Sequence, residues 1–162
     1  MILPAHISEL AAKLGASLTN KKLWITTAES CTGGGISYAL TDTAGSSAYI
    51  DRCFVTYSND AKHELLGVKQ EILEQFGAVS KETIEQMADG AINATNADVA
   101  IAVSGIAGPG GGTKDKPVGT VWIAVKVLDK LSVEHCLFAG NRSEVRLQVI
   151  EYSLKKAIEL IN

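Results

Sequence analysis

Ile7, Leu10, Ala11, Leu14 and Leu18 fall three or four residues apart, the spacing that gathers side chains on one face of a helix. The spacing predicts a surface helix from Ile7 to Leu18, ended at Asn20-Lys21-Lys22. β-Branched and aromatic residues crowd Leu23 to Thr27, which reads as a strand running directly into Ala28-Glu29-Ser30-Cys31-Thr32-Gly33-Gly34-Gly35. A helix follows to about Thr43. Phe54 to Tyr57 reads as a short strand, Ala61 to Leu66 as a short helix stopped by Gly67, and Glu71 to Phe76 as another. Ser80 suits the N-cap of a helix reaching Asn96, with Ile84, Met87, Ala88, Ala91 and Ile92 as its apolar stripe.

Val99 to Val103 is apolar without a break, too short for a stable helix, and bounded by Asp98 and Ser104-Gly105. Such a run suits a central strand covered on both faces. After the glycine-rich segment Gly105 to Thr113 come a strand at Gly119 to Val127, a turn at Asp129-Lys130 and a strand at Ser132 to Phe138. Leu147, Ile150, Leu154, Ile158 and Ile161 share one face of a last helix from about Ser143. Helices that alternate with strands early, and a hairpin late, predict an α/β fold with a mixed sheet of about five strands and helices on both faces.

The length, 162 residues with 46% of them hydrophobic, is enough for one good core and too short for two, so one domain over residues 1–162 is expected. Fifteen basic residues against 18 acidic ones argue against nucleic acid and anionic membranes as partners. No apolar run approaches the roughly 20 residues of a membrane span, and the first ten residues lack a basic region followed by an apolar core, so a cytoplasmic protein is expected. Cys31, Cys53 and Cys136 are odd in number, and His6, His63 and His135 are scattered. That pattern predicts neither a disulfide framework nor a zinc site.

Ligands of α/β sheets bind beyond the carboxyl ends of parallel strands, where three loops compete here. The first, Glu29 to Gly35, sets Ser30 before glycines at a helix start, where main-chain amides point outward and can receive an oxyanion. Ser30 is then a candidate nucleophile and helix cap at once; a cap alone is the plainer reading. Cys31 is the weaker nucleophile candidate and reads equally as a buried cysteine. No G-x-S-x-G elbow surrounds Ser30, and no histidine is placed for a triad. Lys62 is the better base, since a lysine held in a pocket can lose its proton, although most lysines are simply solvated. Tyr57 is a candidate to assist that pair, or a tyrosine at the core edge. The second loop, Ser104 to Thr113, invites a phosphate but is neither a Walker A nor a dinucleotide motif. At the third, Gly140-Asn141-Arg142, the arginine fork suits a phosphate or carboxylate, or is an exposed first-turn arginine.

Together, Thr27 to Gly34, Thr56 to Lys62, Val103 to Gly112, Lys116 to Ala124 and Phe138 to Arg142 resemble the ordered motifs of the CinA C-terminal family of nicotinamide-nucleotide amidohydrolases. The resemblance covers nearly the whole chain. It implies a three-layer α/β/α fold and conversion of nicotinamide mononucleotide and water to nicotinic acid mononucleotide and ammonia. By the same resemblance Ser30 is the nucleophile, Lys62 its basic partner, and Tyr57 and Arg142 pocket residues. The expected oxyanion donors are amides near Thr32, Gly33 and Gly34. Arg142 and the loop containing Gly105 and Gly108 are expected to anchor the ribose phosphate. The expected partner is a small nucleotide substrate, with no metal or other cofactor, in a homo-oligomer. Many relatives have Gly-Asp-Arg where this chain has Gly140-Asn141-Arg142, which puts the orientation of Arg142 in question. A differently specific or inactive paralogue, or a binding module linked to competence, are the alternative functions.

Overall fold

The computed structural model describes residues 2–162. Five strands, β1 (Ile25–Glu29), β2 (Phe54–Val55), β3 (Val99–Gly105), β4 (Thr120–Val127) and β5 (Lys130–Leu137), form one sheet in the order β2-β1-β3-β4-β5. β2, β1 and β3 are parallel, and β4 and β5 continue the sheet antiparallel as a hairpin. Helices α1 (Ala5–Lys21), α2 (Gly35–Thr41) and α6 (Arg142–Ile161) pack on one face, and α3 (Asn59–Leu66), α4 (Gln70–Phe76) and α5 (Lys81–Asn93) on the other. This is the expected three-layer α/β/α arrangement.

Alternation along the strands gives the two faces different characters. Toward α1, α2 and α6 the sheet presents Ile25, Ile101, Val103, Ile123 and Val125. Toward α5 it presents Ala28, Ala100, Ala102 and Ala124. Small residues there meet Ala88 and Ala91 of α5, so that helix lies close to the strands. The closeness extends to α3. Gly90 sits so near the last turn of α3 that a methyl group in its place would overlap the Leu66 carbonyl.

β1 lies two residues later than the expected Leu23 to Thr27. The Trp24 carbonyl accepts from the Asp98 and Val99 amides, both at 2.9 Å, and fixes the approach to the sheet. The pairing then runs from Ile25 against Val99 to Glu29 against Val103. Thr26 and Thr27, expected in the strand, and Glu29, expected in the loop beyond it, are all buried. α2 ends at Thr41 instead of Thr43, and α5 at Asn93 instead of Asn96. A short 3-10 turn at Ser46–Ala48 was not anticipated; it leads to Tyr49, which is buried and whose carbonyl accepts from the Ile25 amide at 2.8 Å.

The carboxyl ends of β1, β2 and β3 open on the same edge of the sheet, where Ser30, the start of α3 and Ser104-Gly105 come together. Because α3 rests on Gly90, this position has a measurable role. Gly90→Ala should lower stability by about 2 kcal/mol, the cost of forcing apart a packed contact, even though alanine favours a helix. Urea unfolding gives the test: an unchanged or higher midpoint means that α3 moves without cost.

Candidate active site

Ser30 is the first residue beyond β1, and its amide still donates to the Val103 carbonyl at 3.1 Å, so its backbone is fixed by the sheet. Lys62 lies on α3, whose N-terminus is capped by the Ser58 hydroxyl, accepting from the Ala61 amide at 3.0 Å. The lysine is 1% exposed. Its Nζ donates to the Thr56 carbonyl at 2.8 Å, to the Ser30 Oγ at 3.2 Å and to the Tyr57 carbonyl at 3.4 Å. Burial lowers the Lys62 pKa to about 8, because the charged form loses its hydration.

This triangle of acceptors serves both protonation states. The ammonium form can direct one proton to each oxygen. When it loses one, the two carbonyls still take N–H donors, and the nitrogen lone pair falls to Ser30 Oγ, the one neighbour able to donate in return. Proton exchange is thereby confined to Nζ and Oγ.

Neighbouring groups are otherwise engaged. Cys31 is buried, and burial pushes its thiol up to about 12, so it stays protonated at neutral pH. His63, next to Lys62 in sequence, places Nδ1 2.8 Å from the Val68 carbonyl. His135 stacks on Trp122 out on β5.

Tyr57 meets Lys62 through its carbonyl, while its phenol, on a residue that is 62% exposed, accepts from Arg142 Nη2 at 3.2 Å. Arg142 Nη1 donates to the Gly108 carbonyl at 2.9 Å. With asparagine at position 141 this fork is in place. Asn141 caps α6, accepting from the Glu144 amide at 3.0 Å, and its own amide donates to the Glu144 carboxylate at 2.7 Å. Two uncharged acceptors orient the guanidinium, and it meets no carboxylate among the described residues.

Ser30, Lys62, Tyr57 and Arg142 border one cleft of about 210 Å³, with Ala78 and Val79 from the segment after α4 and Ser104, Gly105 and Ala107 from the end of β3. Ala78 and Val79 were not foreseen, since nothing in their local pattern marks them. Thr32, Gly33, Gly34 and Gly108 do not line it. The Thr32 hydroxyl is fully buried against Glu29, and the Gly33 amide donates to the Ser30 carbonyl at 3.0 Å. Gly108 bears on the cleft only indirectly, through the carbonyl that holds Arg142.

Ser30 is not the helix cap that its position predicts. α2 begins at Gly35, with Gly34 at the cap position in a left-handed conformation that glycine tolerates at no steric cost. The helix amides are satisfied by Glu29 instead, a residue that sequence reasoning missed. Its Oε2 accepts from the Thr32 hydroxyl at 2.5 Å and the Ile36 amide at 3.0 Å. Its Oε1 accepts from the Ser37 amide at 2.8 Å and the Ser37 hydroxyl at 2.6 Å. An acidic residue just ahead of a glycine-rich helix start was the available signal.

No helix among the described residues is long and apolar enough to cross a membrane, and no three His, Cys, Asp or Glu side chains among them gather where a metal could bind.

The sequence model described as the CinA C-terminal domain matches residues 7–161. The chain is 54% identical over 154 residues to "Nicotinamide-nucleotide amidohydrolase PncC" of Enterobacter agglomerans, covering 94% of each chain. It is 46% identical to the protein of the same name from Escherichia coli strain K12, covering 93% of this chain and 92% of that one. Among solved structures, "competence/damage inducible protein CihA" from Agrobacterium tumefaciens superposes with a TM-score of 0.97 at 46% identity, over 100% of this chain and 99% of that one.

The donors around Glu29, with the Thr27 hydroxyl a more distant fifth at 3.5 Å, all point at carboxylate oxygens, so an amide in its place would turn N–H groups against N–H and O–H groups. Glu29→Gln should cost about 2–4 kcal/mol of stability. Chemical denaturation beside wild type measures it, and a loss below about 1 kcal/mol would show that the network is replaceable.

Proposed function

The chain belongs to the CinA C-terminal domain family, and from that premise we propose that it is an amidohydrolase that converts nicotinamide mononucleotide to nicotinic acid mononucleotide and ammonia through Ser30 and Lys62. The observation that carries this reading is a buried lysine, without a carboxylate partner among the described residues, held 3.2 Å from a serine hydroxyl in a cleft. Neutral Lys62 accepts the Ser30 proton as Oγ attacks the carboxamide carbon. The oxyanion meets main-chain amides where the turn after Ser30 borders the cleft, at Cys31, since Thr32 and Gly34 stand back from it and the Gly33 amide is occupied by the Ser30 carbonyl. The lysine then passes its proton to the departing nitrogen, the C–N bond breaks and ammonia leaves. Water, deprotonated by Lys62, attacks the acyl-serine, and Ser30 recovers its proton. Tyr57 assists through the carbonyl that binds Lys62 and through the phenol that steadies Arg142.

Arg142 anchors the phosphate. Its charge is uncompensated by any carboxylate among the described residues, and its fork is held at the border of the cleft. The relatives' names support the nucleotide as substrate, and their whole length is matched closely. The reading includes a cytoplasmic, homo-oligomeric enzyme.

Ammonia release from nicotinamide mononucleotide by wild type, Ser30→Ala and Lys62→Ala, each checked by circular dichroism, tests the proposal. Both variants should lose roughly 10³-fold or more in kcat/KM while remaining folded. Folded wild type that releases no ammonia would sink the substrate assignment, and full activity in either variant would sink the mechanism.

The pH profile gives a separate test. Because the neutral amine is the working form, kcat/KM should rise tenfold per pH unit below about 8 and level off above it. Lys62→Arg, which keeps the charge but cannot release its proton near neutrality, should show no such recovery at high pH. A flat wild-type profile from pH 6 to 9 would exclude Lys62 as the base.

A further inference from the structure

β5 is the outer strand of the sheet, and its two faces are finished differently. Toward α6 it presents Ser132, Glu134 and Cys136, with the Glu134 carboxylate 3.5 Å from Lys156 Nζ. Toward the other side it presents Leu131, Val133, His135 and Leu137. α5 covers β1, β3 and β4 but leaves much of this face bare, so Leu131 and Leu137 are 44% and 65% exposed. Two hydrogen bonds give the direction of the main chain. The Ile106 amide donates to the Thr120 carbonyl and the Phe138 amide to the Gly119 carbonyl, both at 2.9 Å. By the alternation of an antiparallel ladder, Lys130, Ser132, Glu134 and Cys136 turn their main-chain groups toward β4. Leu131, Val133, His135 and Leu137 turn theirs outward, onto an edge with no further strand.

We propose that this edge pairs with the same edge of a second copy, antiparallel about a two-fold axis at Ser132. In that register Leu131 and the partner's Val133 exchange their outward main-chain hydrogen bonds. On the α6 side Lys130 stands opposite the partner's Glu134. The two-fold axis repeats this pair, so one strand meeting itself makes two favourable charge contacts. Neighbouring registers do not. An axis at Val133 sets Lys130 against the partner's Cys136 and Glu134 against the partner's Ser132, and an axis at Glu134 sets two carboxylates face to face. The charge pattern of the strand complements itself in one register only, which is why the occupant is a second copy and not an unrelated strand. Pairing also satisfies the open edge and brings the exposed leucines of the two copies toward one another.

Sedimentation velocity of the full chain from about 1 to 100 μM, a range bracketing micromolar association, tests this with Lys130→Glu, Glu134→Lys and the double variant carrying both. Wild type should dimerise. Each single reversal sets like charges together twice and should raise the dissociation constant about tenfold or more, and the double variant should restore it. Leu131→Pro removes an outward N–H without touching the bonds to β4 and should also dissociate the dimer; circular dichroism establishes that each variant is folded. A wild type that is monomeric at about 100 μM, a dimer indifferent to the single reversals, or reversals that the double variant fails to rescue would overturn the proposal.

Discussion

The candidate site depends on a carboxylate that has no access to water. Glu29 closes β1 and opens α2 at once: its backbone pairs with Val103, and its two oxygens take up the first amides of the helix and the hydroxyls of Thr32 and Ser37. Ser30 lies in the turn between those attachments, and so the position of its hydroxyl follows from the strand on one side and the helix on the other. Glu29 also leaves Lys62 alone. Were the two joined in an ion pair, the carboxylate would hold the ammonium charged and raise its pKa. With every carboxylate oxygen saturated by amides and hydroxyls, and the lysine supplied only with carbonyls and a hydroxyl, burial dominates and the pKa falls to about 8.

The rest of the fold brings that lysine to the serine. Thirty-two residues separate Ser30 from Lys62, and the connection is made by β2, two residues long, whose parallel pairing with Ala28 and Glu29 sets the chain beside β1 before it turns into α3. The Thr56 amide donates to the Glu29 carbonyl at 2.8 Å, extending that pairing, and the Thr56 carbonyl receives Lys62. α3 itself leans on α5 at Gly90, and α5 can lie close because the sheet beneath it is faced with alanines. Small residues far from the cleft thus govern the position of Lys62.

Much of this architecture was legible in the sequence wherever one physical signal dominated. β3 was readable as an unbroken apolar run, and α5 and α6 as apolar stripes with suitable caps. Reading failed where polar residues are buried. Glu29 reads as part of the loop after the strand because no periodicity announces that a carboxylate will be satisfied by a helix seven residues further on. Serine before a helix commonly caps it, whereas here Gly34 holds the cap position and Glu29 accepts from the helix amides. The pairing of Ser30 with Lys62 was legible through family resemblance, since contact across the crossover from β1 to β2 leaves no local pattern. The same limit applies to Tyr57, whose carbonyl contributes as much to the arrangement as its phenol. Main-chain roles are invisible to residue identity.

On the proposed reaction, the size of the cleft assigns its parts. A volume of about 210 Å³ beside Ser30 and Lys62 is below the roughly 300–1,000 Å³ typical of pockets that enclose whole ligands. On that reaction the carboxamide-bearing ring would enter and the ribose phosphate would extend outward to Arg142. That separation divides chemistry from anchorage. Arg142 is held by neutral oxygens, keeps its charge for a dianionic group, and gains nothing from the bond being broken. Its contribution is to fix the ring and carboxamide against Oγ, converting affinity for a non-reacting phosphate into orientation at the reacting carbon. A free amide lacking that phosphate would meet the same serine and lysine without the constraint that aligns it, so selection among amides would arise at the border of the cleft and bond cleavage within it.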